Sequence, residues 1–90
     1  MKKTTPDQQS VLPYGNIRSV AEIGQLVRQK RQADRLTQAE LAAMSSVGTR
    51  LVSELENGKA TIELAKALRV LETLGLVVYV APRGKTGPPK

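Results

Sequence analysis

The sequence predicts an all-α fold of four to five short helices in one compact domain, followed by a single C-terminal β-strand. Three observations predict it. Apolar residues recur at helical spacing in four separate stretches between Val20 and Leu74. Each stretch is bounded by capping or turn chemistry rather than by a long loop. The one β-branched run, Leu76-Val77-Val78-Tyr79-Val80, is bounded by Gly75 and Pro82. A chain of 90 residues has room for one such domain.

The first helix opens at Ser19-Val20-Ala21-Glu22, a capping box in which hydroxyl and carboxylate satisfy each other's backbone N–H groups. Val20, Ile23 and Val27, widened by Leu26, form its apolar stripe, with Arg28, Gln29, Arg31 and Gln32 on the far side. The stripe runs to about Asp34. A second capping box, Thr37-Gln38-Ala39-Glu40, starts a short helix carrying Leu41, Ala42 and Met44. Ser45-Ser46-Val47-Gly48 is turn chemistry and stops it.

Thr49 to Glu56 forms the third helix, with Val52 and Leu55 facing inward, and Asn57-Gly58 ends it because both residues tolerate the left-handed conformation. Thr61 is expected to cap the fourth helix, with Glu63 in its first turn complementing the dipole. Leu64, Leu68 and Leu71 are expected on its buried face, beside Ile62, Ala65 and Leu74; Gly75 stops it. The strand at Leu76-Val77-Val78-Tyr79-Val80 then has no good partner within the chain, because Val11-Leu12 is interrupted by Pro13. Unpaired N–H and C=O groups are costly when buried. The expected solution is antiparallel pairing with the same five residues of a second copy across a two-fold axis, which also relieves the marginal stability of a small domain. The predicted organisation is therefore a flexible tail over 1–15, a folded domain over 16–81 and a second flexible tail over 82–90.

Composition narrows the function. The formal charge is +6, from 14 Lys and Arg against 8 Asp and Glu. Nine bases and seven acids lie within 17–81, leaving +2 there, so most of the excess sits in the tails. A polyanionic partner is suggested only weakly by such a distribution. The absence of His and Cys excludes Cys/His zinc sites, disulfides, thiol nucleophiles and imidazole acid–base catalysis. No apolar run approaches the roughly 18–20 residues of a membrane span. The basic start, Met1-Lys2-Lys3, lacks the apolar stretch of a signal peptide, so a cytoplasmic chain is expected. Catalytic carboxylate pairs, a glycine-rich phosphate loop and a Ser nucleophile elbow are all missing, which predicts a non-enzyme without metal or cofactor.

The informative stretch is Gln38 to Lys59. Two short helices around a tight turn, with the small Ala42 at their crossing and Leu41, Val47, Val52 and Leu55 between them, describe a helix-turn-helix. Gln38 sits in a first turn whose free N–H groups suit a phosphate. Gly48, Thr49, Arg50, Ser53 and Glu54 face outward from the start of the third helix, the end that would enter a major groove. Arg50 is suited to a bidentate bond with guanine or to a phosphate. Thr49 and Ser53 offer short hydrogen-bonding groups. Three roles are open to Glu54: accepting from cytosine, repelling phosphate, or pairing with Arg50 at i, i+4. Arg28, Lys30, Arg31 and Arg35 make a basic edge suited to backbone contact or simple solvation. Glu56 is expected to bond within the fold.

Thr37-Gln38-x-Glu40-Leu41-Ala42 followed by Leu55-Glu56-Asn57-Gly58-Lys59 resembles the phage-repressor (Xre/Cro/CI) class, without gaps between the blocks. The stretch from Val47 to Lys59, with one further helix into Leu74-Gly75-Leu76 and a strand, is similar to HipB-type antitoxins. Ser46 departs from the class, which usually has a turn glycine there. The resemblance implies DNA or phosphate contact by Gln38 and a phosphate contact by Lys59. It further implies a homodimeric repressor on a palindromic double-stranded operator of its own operon, and a HipA-type kinase toxin, of one chain or split over two, as partner. Two other readings stay open: a stand-alone phage or plasmid repressor, and a protein-interaction adaptor that has lost DNA binding.

Overall fold

The computed structural model describes residues 14–84. Among these it contains four helices: α1 (Val20–Ala33), α2 (Gln38–Ser45), α3 (Thr49–Glu56) and α4 (Leu64–Thr73). Helix α3 packs against all three others, and α2 also packs on α4. Val27, Leu41, Val52, Leu55 and Val70 are fully buried at the centre. Burying each such side chain stabilises the fold by roughly 1.5–3 kcal/mol. Ile23, Leu36, Val47, Leu51 and Ile62 pack around them. Most of both predicted tails, and the Val11-Leu12 pair, lie outside the described residues.

Local chemistry accounts for the helix starts, with two corrections. The Thr37–Glu40 capping box is complete: Glu40 N–H donates to Thr37 Oγ1 at 3.0 Å, and Thr37 N–H donates to Glu40 Oε1 at 2.8 Å. At α1 only half of the box forms. Glu22 N–H donates to Ser19 Oγ, but the Glu22 carboxylate reaches one residue further back and accepts from Arg18 N–H. Helix α4 starts at Leu64 with Glu63 as its N-cap, not after Thr61. A turn closed by Ile62 N–H on the Lys59 carbonyl, at 3.1 Å, holds Thr61 outside the helix while Ile62 packs on the core.

All four helices end in the same way. The N–H groups of two successive residues turn back onto carbonyls of the last turn, as at Gly58 onto Leu55 and Lys59 onto Glu54, both at 3.0 Å. This motif requires one left-handed residue. Gly58 and Gly75 supply it with φ of 76° each, whereas Arg35 and Ser46 adopt it at 60° and 59° with a side chain attached. Asn57, predicted to share that role, keeps φ at −88°.

The buried face of α4 differs from the predicted one. Ala67, Val70, Leu71 and Leu74 are buried, while Leu64 and Leu68 face solvent at 66% and 41% exposure. The helix is apolar on two faces, and the spacing 67, 70, 71, 74 fits the core stripe as well as the leucine stripe does. Met44 on α2 also points outward. Residues 76–80 form no strand within the described chain. A strand exists only through ladder hydrogen bonds, and among the described residues no segment supplies them. Val77, Val78, Tyr79 and Val80 are left exposed.

Candidate nucleic-acid interface

The α2–turn–α3 unit is fixed from three directions. Leu41 and Ala42 of α2 and Val52 and Leu55 of α3 are buried against each other and against α4. The turn begins at Ser46, whose left-handed backbone lets Val47 N–H reach the Ala42 carbonyl at 3.0 Å. From α4, Arg69 Nη1 donates to the Ser46 carbonyl at 3.2 Å. Ser45, the one buried polar residue among those described, donates from Oγ to Thr73 Oγ1 at 2.9 Å, and Thr73 donates onward to the Arg69 carbonyl. These bonds tie the turn to α4, so α3 is presented by a rigid support.

With Val52 and Leu55 inside, helical geometry turns Thr49, Arg50, Ser53 and Glu54 outward. Gly48 is the N-cap of α3 with φ of −78°, and a Cβ there would meet no atom within 4 Å. Neither backbone conformation nor internal packing demands glycine at this place. Gly48, Thr49 and Arg50 are exposed, while Ser53 and Glu54 are half-buried.

Glu54 gathers the charges of this face. Its Oε2 accepts from Arg50 Nε at 3.1 Å and from Lys59 Nζ at 3.2 Å. The hydrogen bond from Lys59, aided by its charge and by Arg50, holds the Glu54 carboxyl below the usual carboxylate range against a smaller effect of burial. The structure therefore brings Arg50, Glu54 and Lys59 into one cluster, which the i, i+4 spacing foretold only for the first two. Gln38 stands apart from it. Its Nε2 donates to Glu56 Oε1 at 3.0 Å, leaving the amide oxygen and the second amide hydrogen for a ligand.

Glu56 bonds within the fold as expected, but its principal partner was missed. Arg31 of α1 donates from Nε to Glu56 Oε2 and from Nη2 to Glu56 Oε1, and from Nη1 to the Leu36 carbonyl at 2.8 Å. Arg31 thus leaves the predicted basic edge and becomes an internal brace; its bond to Glu56 holds the guanidinium proton more tightly than usual. Lys30 pairs with Asp34, leaving Arg28 and Arg35 as the exposed cations of that edge. Its 25-residue separation from Glu56 gives a linear reading of the sequence no signal for the Arg31 bond.

A second missed residue is Gly24. It is buried in α1, and a Cβ there would collide with the carbonyl oxygen of Leu55. Its lack of a side chain is what lets α1 cross α3 at backbone distance. Glycine within an otherwise regular amphipathic stripe was the available signal.

Comparison with known proteins agrees with this geometry. A helix-turn-helix family model matches residues 27–77, more than half of the chain. An uncharacterised HTH-type transcriptional regulator of Sinorhizobium fredii, y4mF, is 42% identical over 69 residues, which make up 77% of this chain and 91% of that protein. Among solved structures, HipB in a complex with an O2 20mer superposes with a TM-score of 0.69 at 25% identity, covering 76% of this chain and 94% of that one. A chain of the HipA–HipB–O2–O3 complex gives the same TM-score at 24% identity, over 76% of this chain and 96% of that one. The chain belongs to the Xre-type helix-turn-helix family of DNA-binding transcriptional regulators and is of HipB type.

Proposed function

We propose that the protein is a homodimeric, operator-specific repressor that acts as the antitoxin of a HipA-type kinase. The observation that carries the DNA-binding part is the exposed start of α3, with Arg50 89% exposed on its side chain and held on a scaffold fixed by α1, α2 and α4. Gln38, Gly48, Thr49, Arg50, Ser53, Glu54 and Lys59 form the contact surface, with Arg50 reading a base edge and Lys59 meeting a phosphate. Two such helices reach successive major grooves when the half-sites lie about one helical turn, roughly 34–36 Å, apart.

Dimerisation is supported by the apolar surface on the C-terminal segment. Val77 and Val80 are 86% and 91% exposed, with Leu64 and Leu68 of α4 also open to solvent. A lone chain gains nothing from displaying them. Pairing residues 76–80 with the same segment of a second copy supplies the ladder and covers this surface. The antitoxin assignment draws on the likeness to HipB in the HipA–HipB–O2–O3 complex. Electrophoretic shift on the promoter fragment of the chain's own operon tests the central claim. A specific complex at ~150 mM salt is expected; its absence leaves a protein-interaction adaptor. Co-purification of a kinase encoded beside the gene tests the antitoxin role.

A further inference from the structure

We propose that Glu54 is a specificity-determining residue, which withholds Arg50 and Lys59 from the phosphates of unrelated DNA but keeps its bond to Arg50 Nε where the Arg50 Nη groups meet a base edge. This rests on the DNA-binding reading of α3. Three features of the cluster support it. Both cations of the exposed face converge on one carboxylate oxygen, at 3.1 and 3.2 Å. The carboxylate is the more sheltered member: side-chain exposure is 28% for Glu54 against 89% for Arg50 and 47% for Lys59. Glu54 thus anchors its partners, and it holds Arg50 through Nε alone, leaving both Nη groups for a ligand. Finally, Arg50 and Lys59 approach it from opposite sides in the chain, one in the first turn of α3 and one beyond its end, so the carboxylate lies between them.

Non-specific affinity depends on how many cations neutralise phosphates, because each such contact releases counterions. A cation that must first leave a carboxylate contributes less to that affinity. The carboxylate itself repels any phosphate brought close to it. A guanine edge offers Arg50 two acceptors in a fixed geometry, which a mobile phosphate contact does not reproduce. Because Arg50 bonds Glu54 through Nε, its two Nη groups can meet that edge with the ion pair intact, whereas following a phosphate breaks the pair. The consequence is a larger gap between cognate and unrelated DNA than Arg50 and Lys59 would produce alone.

The test compares wild type with Glu54→Gln, which keeps the shape and removes the charge. Fluorescence anisotropy is measured on a duplex enriched from a random pool by the wild-type protein, and on the unselected pool. Circular dichroism confirms that the variant is folded. Glu54→Gln should tighten binding to the unselected pool by about three- to tenfold, the range expected for freeing two exposed ion pairs. Its log–log salt slope should steepen by about one cation's worth between ~50 and ~200 mM salt. The preference for the selected duplex should fall by at least about threefold as a result of that tighter pool binding. In an Arg50→Ala background the same substitution should have a smaller effect, because one restrained cation is gone. Unchanged pool affinity and slope would overturn the proposal. So would a loss confined to the selected duplex, which makes Glu54 an acceptor for a base, or an equal effect in the Arg50→Ala background, which makes it a source of repulsion alone. If the wild type enriches no duplex, the DNA-binding reading falls and this inference with it.

Discussion

Arg31 and Glu56 form a two-pronged ion pair across the interior edge of the fold, Nε to Oε2 at 2.6 Å and Nη2 to Oε1 at 3.0 Å. Their side chains are only 12% and 4% exposed. The same carboxylate accepts from Gln38, so one group braces α1, the start of α2 and the end of α3 together. Removing Arg31 leaves a carboxylate in a site that water barely reaches. Arg31→Ala should therefore destabilise the fold by about 3 kcal/mol, seen as a lower urea midpoint. Glu56→Gln, which retains hydrogen-bonding atoms, should cost clearly less than Glu56→Ala.

Gly24 makes an opposite prediction to helix propensity. In an isolated helix, Gly→Ala is stabilising by about 1 kcal/mol. Here the added Cβ would run into the Leu55 carbonyl, a backbone atom that cannot rotate away. Gly24→Ala should lower stability by about 2–3 kcal/mol as α1 is pushed off α3. Thermal melting gives the sign directly, and a rise in Tm would mean that the helix crossing is looser than described.

At Ser46 the prediction reverses again. The residue holds φ of 59° where a glycine would be unstrained. Ser46→Gly should stabilise the domain by about 0.5–1 kcal/mol, the relief of left-handed strain less the added freedom of the unfolded chain. Arg35→Gly at the end of α1 should behave alike, since its φ is 60°. Chemical denaturation of both variants checks the pair.

The DNA surface separates two kinds of contact. Arg50→Ala should cost ~1–3 kcal/mol mainly on the cognate site, whereas Lys59→Ala should weaken every sequence alike and flatten the salt dependence. Titrations on selected and random duplexes at several salt concentrations distinguish them. Equal losses on both duplexes for Arg50→Ala would remove its base-reading role.

The proposed dimer has its own test. Val78→Pro removes a backbone N–H and forces the φ of the central residue in the segment 76–80, which an inter-chain ladder does not tolerate. Sedimentation should then report a monomer. A variant that still sediments as a dimer would place the interface elsewhere, with the open Leu64 and Leu68 of α4 the next surface to alter.

The sequence alone determined the helix boundaries wherever a local bond sets them. Thr37 and Glu40 satisfy each other within one turn, Gly58 and Gly75 end helices because their own backbones allow it, and Thr49–Glu56 follows from the signals at its two ends. The same short-range logic placed Arg50 and Glu54 on one open face. Tertiary structure alone decided the rest. Which of two apolar stripes on α4 is buried depends on the helices it meets, not on its own spacing, so Ala67 and Val70 went inside and Leu64 stayed out. Arg31 was drawn from an apparent surface charge into a brace because folding brought Glu56 beside it. Gly24 acquired its importance only where α1 crosses α3. Local hydrogen bonds are encoded by neighbours in the chain; packing, ion pairing at long range and strand formation depend on partners that only the folded arrangement brings near.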